Sequence, residues 1–174
     1  MSINEISIRT ALAAVRKDSS IRVYMTAVDG GVREVQYDET WTGGTSGNVI
    51  ANGKIGTPVA ATNQGFDRIR VYYITPENTL GESCWDNQGW YTGDLQTKNK
   101  FAVAPYSGVS AVFIGKVKKG PVPVVRVYAQ LADNTLQEFC CKFPFSIYTT
   151  CSAGFLPTYL PTYLPTRSLS QVVC

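Results

Sequence analysis

One pattern of fourteen residues occurs three times in this chain of 174 residues. The copies are IRVYMTAVDGGVRE at 21–34, IRVYYITPENTLGE at 69–82 and VRVYAQLADNTLQE at 125–138, so they begin 48 and 56 residues apart. Each copy has Arg second, Tyr fourth and Glu last. Repeats with a period of about 40–50 residues are typical of proteins that stack similar units, such as the blades of a β-propeller. The repeat therefore constrains the architecture more than any other feature.

Short β-rich segments surround each copy, and Gly, Asn, Asp and Pro separate them. No stretch shows the sustained 3.6-residue apolar periodicity of a helix, so we predict an all-β chain. Its partial propeller domain, 1–140, would contain repeats at about 8–52, 53–100 and 101–140. The segment 141–174 changes character and contains PTYLPTYLPT, with Pro at every fourth position, so we predict an irregular or disordered tail there.

The turn within each copy predicts how its two strands pair. Gly30, Asn78 and Asn134 occupy equivalent positions, and Gly and Asn tolerate a left-handed backbone. A three-residue hairpin loop ending there pairs residue 24 with 34, 72 with 82 and 128 with 138. In this register Arg22 and Glu34 are diagonal neighbours on one face, roughly 7–8 Å apart, within reach of each other as an ion pair.

Aromatic residues and a Trp-Gly turn follow the Glu in the first two copies. Tyr37 and Trp41 follow Glu34, and Trp85 and Trp90 follow the Glu of the second copy. A guanidinium that donates, a carboxylate that accepts and a flat indole together match a sugar, whose hydroxyls do both and whose C–H face packs on an aromatic ring. The alternative is a purely structural Arg–Glu pair in a propeller that binds proteins, because such pairs are common in sheets.

The combination of [IV]-R-V-Y, nine residues, E, an aromatic residue and W-x-x-G resembles the fungal fucose-specific lectins. WTGGTSGNVI and RVYYITPENTLGESCWDNQGWYTG carry the resemblance, which extends over about residues 8–140. It implies a six-bladed β-propeller of which this chain holds about three blades. It also implies L-fucose sites between blades, where one blade supplies the Arg and Glu and the next supplies the aromatic residues.

The resemblance assigns residues to each cleft. The first cleft would use Arg22, Glu34, Trp85 and Trp90, with Phe66 near the methyl group of the sugar. The other positions belong to degraded or incomplete sites. Arg70 and Glu82 would face Cys141 and Ser146, Arg126 and Glu138 would face a fourth blade, and Tyr37 and Trp41 would serve a preceding blade.

Composition bears on other functions. Histidine is absent and the five cysteines show no CxxC spacing, so we expect thiols, no metal and no cofactor. One regularly placed Glu per repeat, opposed by an Arg, does not match a glycosidase, so we expect no enzyme. A net charge of +3 does not indicate nucleic acid, and no apolar run of 18 residues indicates a membrane span. We expect fucosylated glycans as partners, a homodimer that completes the propeller, and, without an export signal, a cytoplasmic location.

Overall fold

The computed structural model describes residues 5–116, 123–142 and 147–151, and within them the chain forms three antiparallel sheets. The first contains β1 (Leu12–Lys17), β2 (Ser20–Thr26), β3 (Gly31–Asp38), β4 (Thr40–Gly43) and β5 (Val49–Asn52), which also pairs with β3. The second contains β6 (Val59–Gln64), β7 (Arg68–Ile74), β8 (Leu80–Trp85) and β9 (Trp90–Thr92). The third contains β10 (Val109–Lys116), β11 (Pro123–Gln130), β12 (Leu136–Lys142) and β13 (Ile147–Cys151). A 3₁₀ turn at Ser46–Asn48 and a π-helical turn at Leu95–Asn99 are the helical elements of the described part.

The predicted hairpin register is confirmed in all three repeats. Gly30, Asn78 and Asn134 have φ angles of 87°, 57° and 65°, the left-handed conformation that Gly and Asn adopt most readily. As a result the central Tyr of each copy lies opposite its Glu; the pairs are Tyr24 with Glu34, Tyr72 with Glu82 and Tyr128 with Glu138.

Neighbouring sheets pack face to face through two apolar clusters. The cluster between the first and second sheets is built around Tyr24, Val32 and Val71, all fully buried. The cluster between the second and third is built around Tyr72 and Phe139. Each sheet thus buries one face against the next, as the blades of a propeller do.

Thr57 joins the first two sheets by hydrogen bonds in addition to this apolar contact. Its carbonyl accepts from the hydroxyl of Thr26 at 3.1 Å, and its own hydroxyl accepts from the amide of Ile74 at 2.7 Å. Ser83 donates from its hydroxyl to the carbonyl of Ile50 at 2.9 Å. Thr57 thus links Thr26 of the first sheet to Ile74 of the second. Ser83 links the second sheet to Ile50 of the first, so these bonds fix the relative position of the sheets.

The third sheet extends past the predicted domain boundary at residue 140. Strand β12 continues to Lys142, and Ile147–Cys151 adds a fourth strand where we predicted an irregular tail. The local sequence, with Pro144 and three aromatic residues, hides this strand because pairing with β12, a tertiary contact, defines it. The remaining tail, 152–174, lies outside the described residues.

In the same described ranges, no helix is long and apolar enough to cross a membrane. No cluster of three or more His, Cys, Asp or Glu side chains is placed to hold a metal ion in that part of the chain. Cys84 and Cys140 are buried, and burial raises the pKa of Cys84.

Candidate functional site

Two tryptophans of the second sheet lie against the first sheet. The ring centroid of Trp90 is 5.8 Å from that of Tyr24, with the planes at 81°, and 5.8 Å from that of Trp85. Trp85 and Trp90 face each other across β8 and β9, and both pack against the apolar cluster between the sheets. The structure therefore places Trp90 against Tyr24 of the first sheet, with Trp85 beside Trp90 at the apolar cluster between the sheets.

Glu34 lies on this same face and is almost fully buried. Its Oε2 accepts from the hydroxyl of Tyr24 at 2.9 Å, and its Oε1 accepts from Nε2 of Gln36 at 2.6 Å. Burial, together with the neighbouring carboxylate, raises the pKa of Tyr24, so the phenol stays protonated and remains a donor. The carboxylate is thus fixed by two neutral donors, and each oxygen has remaining capacity to accept.

The same Tyr–Glu bond recurs in the other two repeats. The hydroxyl of Tyr72 donates to Glu82 at 3.1 Å, and that of Tyr128 donates to Glu138 at 2.7 Å. The Tyr at the fourth position of the motif therefore holds the Glu at its last position by a hydrogen bond. The sequence contained this signal, an invariant Tyr at a cross-strand position, but its role requires the burial that only the fold supplies.

Arg22 does not pair with Glu34, contrary to our prediction. Its Nη1 and Nη2 donate to Asp38 Oδ1 and Oδ2 at 3.1 and 2.8 Å, and its Nη1 also donates to the carbonyl of Ile21 at 2.9 Å. The guanidinium lies 4.5 Å from the ring centroid of Phe66, a cation–π arrangement. The hydrogen bond from Arg22 lowers the pKa of Asp38.

The strand register gives Arg22 two possible acidic partners. Arg22 stands directly opposite Gln36, so Glu34 and Asp38, each two residues away from Gln36, are its two diagonal neighbours. Our prediction considered only the first of them. The missed signal is a second acid 16 residues after the Arg.

The other two repeats show both outcomes. In the second, Arg70 pairs with Asp86 at 2.9 and 3.2 Å, again 16 residues further on. In the third, Lys142 occupies that position of the sequence, and Arg126 forms its ion pair with Glu138. The predicted Arg–Glu pair therefore occurs only in the third of the three described repeats.

Phe66 lies in the turn between β6 and β7, partly buried against the cluster between the first two sheets. Its ring packs against the guanidinium of Arg22. Its role beside the methyl group of a sugar stays a prediction.

The second cleft contains a buried carboxylate like that of the first. Glu82 accepts from the hydroxyl of Tyr72 and from the amide of Leu95 at 3.2 Å. Gly93 makes room for it, because a Cβ at that position would overlap the carboxylate.

We assigned Cys141 and Ser146 as the aromatic-site positions of this second cleft, by counting residues. In the register of the sheets, Trp85 pairs with Trp90 and Cys141 pairs with Tyr148. Tyr148, not Ser146, therefore occupies the strand position of Trp90. The count failed because β12 and β13 form one more pair before their turn, Lys142 with Ile147, so the partner of Cys141 lies further along the chain than the partner of Trp85 would suggest. Ser146 lies outside the described residues.

The remaining predicted positions lie on the outer sheets. Tyr37 and Trp41 pair across β3 and β4 with ring centroids 5.0 Å apart, and Trp41 is 58% exposed. On the third sheet, a depression of about 530 Å³ is lined in part by Tyr128 and Leu136. That Tyr37 and Trp41 on the first sheet, and the motif residues of the third sheet, form sites with further blades stays a prediction.

Comparison with known proteins places this geometry in a family. The family model for fungal fucose-specific lectins matches residues 6–150. Fucose-specific lectins of Aspergillus oryzae and Aspergillus fumigatus are 43% and 45% identical over 136 residues, which is 78% of this chain and 43% and 42% of those proteins. The chain thus spans less than half the length of these relatives.

Solved structures give the same answer. The SapL1 lectin in complex with alpha methyl fucoside is 51% identical, with a TM-score of 0.77 over 85% of this chain and 47% of that one. The Aleuria aurantia lectin, a six-bladed β-propeller with a described fucose recognition mode, is 30% identical, with a TM-score of 0.73 over 86% and 50%. This chain belongs to the fungal fucose-specific lectin family, and its three sheets correspond to about half of a six-bladed propeller.

Proposed function

We propose that the chain binds L-fucose of fucosylated glycans in the cleft between its first and second sheets. The observation that carries this proposal is the meeting of the Arg22 and Glu34 face of one sheet with Trp85 and Trp90 of the next. The names of the relatives support fucose as the sugar, and one similar structure holds alpha methyl fucoside.

The chemistry of each group fits this role. Glu34 is fixed by neutral donors and accepts from sugar hydroxyls, while no described residue accepts from Nε of Arg22, which therefore remains a donor. The indoles offer an apolar face for the C–H groups of the ring. Charged hydrogen bonds contribute about 1.5–3 kcal/mol each, which orients a monosaccharide and binds it weakly.

The same groups favour binding without catalysis. Glycoside hydrolysis requires two carboxyl groups that flank the bond, one of them as a proton donor. Glu34 and Asp38 are the carboxyl groups diagonal to Arg22 in the sheet, and the hydrogen bond from Arg22 holds the pKa of Asp38 low, which makes it a poor acid near neutral pH. We expect no release of the aryl group from a fucosyl aryl glycoside.

Tryptophan fluorescence tests the binding site, because two of the three tryptophans lie in the cleft. We expect a saturable change with methyl α-L-fucoside, lost in Arg22→Ala and Glu34→Ala while the circular dichroism of the sheets is retained. Lys98→Ala, which removes an exposed cation paired with Asp94, is the matched control and should respond like the wild type. A wild-type chain that is folded but unresponsive would favour the structural, protein-binding alternative.

The outer sheets support association of two copies. The third sheet carries Arg126, Tyr128 and Glu138 in the register that Arg22, Tyr24 and Glu34 have on the first, and the first sheet carries Tyr37 and Trp41 in the register of the cleft tryptophans. Two copies joined head to tail through these faces would make six blades. Light scattering after size exclusion tests this proposal, since we expect twice the mass of 19.0 kDa, and a monomer would contradict it.

A further inference from the structure

Each motif Arg has two diagonal positions within reach, and the three repeats fill them differently. The position two residues before its cross-strand partner is always Glu, namely Glu34, Glu82 and Glu138. The position two residues after the partner is Asp38, Asp86 and Lys142. Where an Asp is present the Arg takes it, and where it is absent the Arg takes the Glu.

The partner of the Arg decides what the Glu can do. With Arg22 on Asp38, the two oxygens of Glu34 bond, among the described residues, only to the uncharged groups of Tyr24 and Gln36. In the third repeat, Arg126 donates to one carboxylate oxygen of Glu138, so the two groups that would bind a sugar bind each other instead. A sugar would have to break that pair before binding.

We propose that Asp38 is a positioning residue that holds Arg22 away from Glu34, and that the residue four places after the motif Glu determines whether a repeat is ready to bind a sugar. By this rule the first and second repeats are open, and the third, with Lys142, is closed. The proposal rests on the function proposed above for the first cleft.

If Asp38 only stabilised the fold, its loss would lower the stability of the chain rather than its affinity for the sugar. The side chain of Asp38 is 51% exposed, and ion pairs with one exposed partner contribute little to folding. Loss of Asp38 should therefore leave stability almost unchanged. A large effect on sugar affinity with an unchanged melting temperature separates positioning from stabilisation.

The first experiment titrates the full chain with methyl α-L-fucoside by calorimetry. We expect Asp38→Ala to weaken binding about tenfold, which corresponds to roughly one charged hydrogen bond, and Asp38→Glu to restore most of the affinity. Asp94→Asn is the matched control, because it removes the same charge from an exposed pair with Lys98, and should bind like the wild type. Asp38→Ala that binds as tightly as the wild type would overturn the proposal.

The second experiment needs no ligand. A crystal structure of Asp38→Ala should show an Nη atom of Arg22 within hydrogen-bonding distance of Glu34, as Arg126 is of Glu138 in the third repeat. An Arg22 that stays over Phe66 and away from Glu34 would refute the positioning role. If the wild type does not bind the fucoside, the proposed function fails, while this structure still decides what Asp38 does.

Discussion

Tyr24→Phe removes a single hydroxyl from the buried face of the first sheet. Tyr24 is fully buried, Glu34 is 6% exposed, and the bond between them is 2.9 Å long. A hydrogen bond to a charged group contributes about 1.5–3 kcal/mol, and Gln36 still donates to the other oxygen, so we expect the free energy of unfolding to fall by about 2 kcal/mol. For a chain of this size that loss lowers the melting temperature by about 4–8 °C.

Urea unfolding followed by circular dichroism measures this loss. An unchanged dependence of the unfolding free energy on urea concentration would show that the wild type and the variant expose similar surface on unfolding. Tyr106→Phe is the control: Tyr106 is 66% exposed, its hydroxyl donates to Asn134 at 2.8 Å, and its removal should cost less than about 0.5 kcal/mol. If Tyr24→Phe were no more destabilising than this control, the buried carboxylate would not depend on the motif Tyr, and the reasoning would be refuted.

Three further changes test other parts of the structure. Gly93→Ala should destabilise the chain by about 1–3 kcal/mol in urea unfolding, because the new Cβ would overlap the buried Glu82 carboxylate. Thr57→Val should cost about 1–3 kcal/mol in the same assay, since it leaves a buried amide of β7 without its acceptor. Arg22 lowers the pKa of Asp38, so the contribution of Asp38 to stability is present at neutral pH and is lost as the pH falls below about 4. In Asp38→Asn, the urea midpoint should therefore fall slightly less on acidification than in the wild type. An identical fall in both proteins would contradict the assignment.

The candidate site shows how far a sequence pattern reaches. The repeated motif indicated the positions of Arg22, Glu34 and both cleft tryptophans, and the left-handed turn residues predicted the register that puts the first two on one face. It did not predict the partner of Arg22. Two carboxylates lie diagonal to that Arg, and only the structure shows that it pairs with Asp38 while its guanidinium lies over Phe66 of the second sheet.

Counting along the chain failed for a related reason. Tyr148, not Ser146, stands opposite Cys141 because strand pairing, rather than distance in sequence, sets equivalence between repeats. Strand β13 itself was missed, since its residues carry a weak local pattern and are ordered by pairing with β12.

The sequence by itself determined the three repeats, the all-β character and the hairpin register, because these follow from short-range chemistry: alternating side chains, and Gly or Asn where the backbone must be left-handed. The tertiary structure alone decided which face of each sheet is buried against the next, which carboxylate holds each Arg, and where the last strand lies. Those features depend on contacts between residues that are distant in the chain, and their energies exist only once the sheets have packed together.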